Sequence, residues 1–110
     1  MPASKSNTTS HIDLPSAELA AFCVRWGVRE VALFGSVLRD DFGPDSDVDV
    51  LVTFQAGGGG DPFDLMDMER ELAALLGRRV DLVVRGAVER SRNWLRRREI
   101  LDSARTVYAA

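Results

Sequence analysis

Three short apolar runs constrain this chain most: EVALF at 30–34, VDVLVTF at 48–54 and RVDLVV at 79–84. Each has strand length, and turn residues bound the set. The stretches between them follow a different period. From Pro15 to Trp26, the residues Leu19, Phe22, Cys23 and Trp26 recur at helical spacing, with Gly27 as a stop. From Pro62 to Leu76, the inner face is Leu65, Met68, Leu72, Leu75 and Leu76, and Gly77 ends the pattern. A further helix is predicted around Ser91–Asp102, with Trp94, Leu95 and Leu101 apolar, followed by a short tail, TVYAA. Ser36–Arg39 reads as a short helix, and DDFGPDSD at 40–47 as a loop. Alternating helix and strand imply an α/β (α+β) fold, a small mixed sheet flanked by helices.

The length of 110 residues suits one domain, placed at 13–110 behind a polar, poorly ordered lead-in at 1–12. No apolar run reaches membrane-span length, so no membrane association is expected. The N-terminus has no apolar segment of the signal-peptide kind. Cys23 is the one cysteine and falls on an apolar helix face, which makes it a core thiol and the cytoplasm the expected compartment. The lone histidine, His11, sits in the lead-in, which argues against histidine catalysis and zinc. The net charge of −3 is unevenly spread. Residues 1–77 carry 5 basic and 13 acidic side chains; residues 78–110 carry 9 arginines and 4 acids. A basic C-terminal third is either a solvated face or a surface for an anionic partner.

The chemistry concentrates in LFGSVLRDDFGPDSDVDVLV, residues 33–52. Gly35 and Ser36 stand where a strand hands over to a helix. Glycine there lets a phosphate approach the backbone, the freed helix-start amides favour an anion, and Ser36 adds a donor. Asp47 and Asp49 are two apart at the start of a strand, so their carboxylates share a face. Adjacent carboxylates repel unless a cation lies between them, and Mg²⁺ is held by one or two carboxylates plus substrate phosphates. The plainer reading is two solvated acids at a strand end, but Val48, Val50, Leu51 and Val52 pull this strand into the core. Asp81 stands alone in its apolar run, where an acid needs a partner or a metal. It either pairs with Arg78, Arg79 or Arg85, or, if its strand lies beside 48–54, completes a three-carboxylate site. Such a site would hold two metals for an in-line displacement at phosphorus, with Asp81 the candidate to activate the acceptor hydroxyl.

Gly35-Ser36, ten residues, then Asp47-x-Asp49, with a third acid in RVDLVV, resembles the signature of the polymerase-β-like nucleotidyltransferase superfamily. The chain is most similar to its minimal nucleotidyltransferases, small prokaryotic proteins commonly encoded beside a HEPN-domain protein. The resemblance implies Mg²⁺ dependence, with Mn²⁺ as a substitute, and use of a nucleoside triphosphate, most often ATP. It implies an antitoxin that adds AMP to a tyrosine of a HEPN ribonuclease toxin, its protein partner. Ser46 matches the serine of the family's Ser-Asp-x-Asp and would cap the loop. Arg39 either binds phosphate or pairs with Asp40 and Asp41, whose presence departs from the commoner pattern.

Other functions compete. A non-catalytic antitoxin would neutralise its partner by binding alone. A transferase could instead act on a small molecule or an RNA end, although no substrate domain is visible. Gly57–Gly60 has no following lysine, so it is a flexible connector and not a phosphate loop. Arg96-Arg97-Arg98 lacks interleaved aromatics, and the chain is acidic overall, which disfavours nucleic acid as the main partner. Homo-oligomers are compatible with the sequence.

Overall fold

The computed structural model describes residues 15–35, 47–56 and 62–109. Its elements are α1 (Ser16–Trp26), β1 (Val28–Phe34), β2 (Val48–Phe54), α2 (Pro62–Leu76), β3 (Val80–Val84), α3 (Arg85–Glu89), α4 (Trp94–Ser103) and β4 (Arg105–Ala109). The four strands form one sheet in the order β3-β2-β1-β4. β1 runs antiparallel to β2 and β4, and β2 runs parallel to β3, so the sheet is mixed. The expected short helix at 36–39, the acidic loop up to residue 46 and the glycine run lie outside the described residues.

Two expectations need correction. The tail is a strand: residues 105–109 pair with β1 and close one edge of the sheet. Only Val107 of that strand is buried, so it has little apolar pattern of its own. A short helix, α3, also follows β3 directly.

Helices cover both faces of the sheet. On one face, Leu19, Phe22 and Cys23 of α1 and Met68 and Leu72 of α2 pack on Val31, Leu33, Val48, Val50 and Val52. On the other, Val88 of α3 and Ile100 of α4 pack on Ala32, Phe34 and Leu51. Burial on both sides explains why β2 is nearly continuous in valine and leucine instead of alternating with polar residues. A register shift between Val28 and Glu30 inserts a residue into β1. It lets Val28 and Val31, three apart, serve the same core.

Helix ends follow the sequence. Gly27 (φ 69°) and Gly77 (φ 69°) adopt the left-handed conformation that ends α1 and α2. Their amides donate to Cys23 O and to Ala73 O. The two helices are clasped through Glu71, which accepts from Trp26 Nε1 at 3.0 Å and pairs with Arg25. Glu69 of α2 reaches the outer edge of the sheet, accepting from the Leu82 amide at 3.0 Å. That bond occupies a donor which an edge strand otherwise presents to other chains.

Candidate active site

Register brings the predicted carboxylates together. Phe34 of β1 pairs with Asp49 of β2, and Asp49 pairs with Asp81 of β3. Directly paired residues project to the same face of a sheet, so these three form a row across three strands. The next row inward is Ala32–Leu51–Val83, and all three belong to the smaller core cluster. The two acids therefore sit one row above an apolar floor, on the α3/α4 face. Neighbouring strands are about 4.8 Å apart, which brings both carboxylates within reach of one small cation.

Gly35 follows Phe34 at once and has φ 77°. A Cβ at this position would collide with Oδ2 of Asp49 and lie 3.1 Å from its Cγ. Glycine is thus required twice, by its backbone angle and because the Asp49 carboxylate lies against its Cα. Gly27 and Gly77 share the angle, but a Cβ on either would meet nothing within 4 Å. The closeness of strand end and carboxylate belongs to Gly35 alone of these three.

Asp47 is placed differently. Its carboxylate lies 3.0 Å from Arg79 Nε, and the Val48 amide donates to Arg79 O at 2.9 Å. Val48 and Val80 are in register, so residues 47 and 79 are carried side by side into their strands. The sequence offers Arg79 as a partner for Asp81; the structure gives it to Asp47. Arg85 bonds Thr53 Oγ1 at 3.1 Å and approaches Glu89. The burial expected of Asp81 is also corrected. β3 is an edge strand and the Asp81 side chain is exposed, so no desolvation forces a partner on it. What recommends Asp81 is its register with Asp49. Ser36, Arg39 and Ser46 lie outside the described residues.

The donors are carboxylate oxygens, the kind that hard cations take. Among the described residues no three His, Cys, Asp or Glu side chains are already gathered as a cation site. Two carboxylates in one row suffice for Mg²⁺ when substrate phosphates complete its shell, so the residues fit such an ion. The Asp47–Arg79 pair is more than half exposed on both sides. Such pairs contribute about 0–1 kcal/mol, too little to hold Asp47 back from a cation. Cys23, fully buried in the opposite core, takes no part; burial pushes its thiol up to about 12. No helix among the described residues is long and apolar enough to cross a membrane.

The arginine-rich α4, which the sequence leaves as either a solvated face or a surface for an anionic partner, packs on the same face of the sheet as this row. At the start of α4, Trp94 and Leu95 are 55% and 63% exposed, and Ile100 is the buried residue of this helix. A groove of about 190 Å³ lies between Val83 of β3, α3 and α4, with Arg96 and Arg97 on its lining. The weak apolar period of WLRRREILDS cannot bury a full helix face, which leaves these two side chains in solvent.

The nucleotidyltransferase domain family matches residues 18–107 of this chain. Protein adenylyltransferase MntA of Thermococcus cleftensis is 45% identical over 65 residues, which cover 59% of this chain and 64% of that protein. The chain thus spans just under two thirds of the length of that curated relative. A solved structure with the provisional description minimal nucleotidyltransferase is 34% identical, with a TM-score of 0.62 over 81% of this chain and 85% of its own. A solved complex of tri-AMPylated Shewanella oneidensis HEPN toxin with MNT antitoxin gives a TM-score of 0.58 at 18% identity. That match covers 86% of this chain and 69% of the other, and is a likeness of fold alone. Because the family match runs from the first helix into the last strand, and so takes in both paired carboxylates and the glycine behind one of them, the chain belongs to the nucleotidyltransferase domain family.

Proposed function

We propose that this chain is a Mg²⁺-dependent transferase that moves AMP from ATP onto a tyrosine of a HEPN-type toxin, and thereby acts as its antitoxin. The observation that carries this reading is the in-register pair Asp49 and Asp81, with Gly35 packed against the first. Kinship with a protein adenylyltransferase and a fold shared with an antitoxin bound to an AMPylated HEPN toxin support the donor and the partner.

In this reading the acceptor hydroxyl attacks the α-phosphorus of ATP. One P–O bond forms, the bond from the α-phosphorus to the α,β-bridging oxygen breaks, and pyrophosphate leaves. Bound Mg²⁺ would supply positive charge to the phosphates and the reacting oxygens. Asp49, fixed by its strand and by the wall of Gly35, would hold that ion, with Asp47 joining it by leaving Arg79. Asp81, on the edge strand and exposed, faces the side from which a macromolecular acceptor can arrive. It would share the ion and take the proton of the incoming hydroxyl. Gly35 and Ser36 would bind the triphosphate through backbone amides and the serine hydroxyl, with Ser46 capping the loop and Arg39 on phosphate. Most of the rate gain in such a site comes from positioning and charge.

The test is transfer of label from α-labelled ATP, with Mg²⁺, to a HEPN-domain protein encoded in the same organism. Loss of the labelled band in Asp47→Asn/Asp49→Asn is the expected result. A band of undiminished strength in that variant would end the proposal. A second reading is a non-catalytic antitoxin, in which Asp47 keeps its pairing with Arg79 and holds no cation. Under that reading Asp49→Asn still neutralises the toxin, whereas under the proposal it does not.

A further inference from the structure

The groove beside the carboxylate row has an apolar floor and a basic rim. Val83 lines it two residues beyond Asp81 on the same face of β3, about 6.6–7 Å along the strand. Val88 and Ile100 complete the floor, and Arg96 and Arg97 stand over it. At the start of α4, Trp94 and Leu95 are 55% and 63% exposed.

Charge singles this surface out. Residues 78–110 carry 9 arginines against 4 acids, while the rest of the chain is strongly acidic. Several of these arginines are already engaged: Arg79 with Asp47, Arg85 with Thr53 and Glu89, Arg98 with Asp102. Arg97 donates to Ser91 O at 3.0 Å. The Arg96 side chain is exposed and has no carboxylate within ion-pair range among the described residues. Tryptophan and arginine are the residue types that dominate binding energy at protein interfaces. Here Arg96 lines the groove, and Trp94 opens the same helix one turn before Arg97.

We infer that the α3/α4 groove, with Trp94 and the Arg96/Arg97 rim, is a docking surface for an acidic polypeptide segment of the acceptor protein. This deepens the transferase reading and rests on it for the acceptor's identity; the binding surface itself is tested separately. Such a surface would present an acceptor hydroxyl near Asp81. The arginines take the carboxylates, and the groove takes an apolar or aromatic side chain between them.

The probe is a fluorescent random copolymer of glutamate and tyrosine, titrated with the full chain and read by anisotropy. A lysine–tyrosine copolymer and a single-stranded RNA serve as competitors. Saturable binding is expected, weakening as salt rises from about 20 to 150 mM. Arg96→Glu, Arg96→Glu/Arg97→Glu and Trp94→Ala should each weaken it about tenfold or more. Arg70→Glu, on the exposed side of α2 across the sheet, should leave it within about twofold. Equal loss in Arg70→Glu would show diffuse charge attraction and overturn the inference. So would absence of saturable binding, indifference to Trp94→Ala, or stronger competition by RNA than by unlabelled glutamate–tyrosine polymer. No nucleotide is transferred in this assay, so polymer binding by a chain inactive towards ATP would separate this inference from the enzymatic reading.

Discussion

Gly35→Ala separates two roles that glycine combines at this position. The backbone role can be measured by itself, because Gly27 and Gly77 have nearly the same φ (69° against 77°) and open space around them. Placing a Cβ on a left-handed residue costs about 1–2 kcal/mol. Gly27→Ala and Gly77→Ala should each lose that much, roughly 4–8 °C in Tm per kcal/mol for a domain of this size. Transfer activity should persist in both. Gly35→Ala carries the same backbone cost, and its new methyl also overlaps the Asp49 carboxylate. Turning that side chain off its rotamer adds about 0.5–1.5 kcal/mol. The functional effect should be larger, since a displacement of about 1 Å at a reacting centre can cost roughly 10²-fold in rate. Urea melts of the three variants beside AMP transfer under saturating Mg²⁺ give both quantities. The reasoning is refuted if Gly35→Ala transfers AMP within a few-fold of the parent, or if Gly77→Ala is equally inactive.

Asp81→Asn should lower transfer by about 10²-fold or more and slightly raise stability, by about 0.2–1 kcal/mol. The reason is that it removes one of two like charges paired in register; activity and denaturation measured together check the opposite signs. Glu69→Ala should cost about 1 kcal/mol by uncovering the Leu82 amide, and should raise light scattering of concentrated samples as the β3 edge becomes available. Cys23 carries a thiol raised from 9.0 to about 12. Between those pH values the unfolded thiol loses its proton while the folded one keeps it, so stability falls with rising pH. Its contribution is intact below pH 9. The slope is at most about 1.4 kcal/mol per pH unit, and Cys23→Ala should flatten the pH dependence of ΔG by that amount across the window.

Elements whose pattern reflects burial on the sheet were legible in the sequence. β2 and α2 match their predicted bounds, because continuous valine and helical leucine spacing record how each is covered. α3 and β4 were not legible, for a physical reason. Each buries a single residue, Val88 or Val107, and the rest of each is half-buried or exposed. What makes residues 105–109 a strand is the hydrogen-bonding edge of β1, which lies some seventy residues away in sequence. The same division applies at the site. Asp47 and Asp49 are candidates by their spacing, and Gly35 by its place after an apolar strand. Whether Asp81 stands beside Asp49 depends on which strand it neighbours, and only the β2–β3 register decides that.

That register also accounts for the failure of one inference about Asp81 and the survival of another. An acid within an apolar run suggests burial, and burial would demand a compensating partner. On an edge strand the demand lapses: Val80 and Leu82 serve the packed face, while Asp81 projects from the other, where the covering layer is thin. An exposed acid without structural need of a partner can still meet a substrate arriving from solution. Asp49, in the interior of the sheet and against Gly35, is the rigid member of the pair. In the proposed transfer, Asp49 would be the carboxylate fixed by the fold and Asp81 the neighbour at the edge that a large acceptor can reach. If this division of labour is right, exchanging Asp for Glu should be tolerated better at position 81 than at 49. The longer side chain has room at an exposed edge and none against the backbone of Gly35. Equal loss of transfer in Asp49→Glu and Asp81→Glu would contradict it.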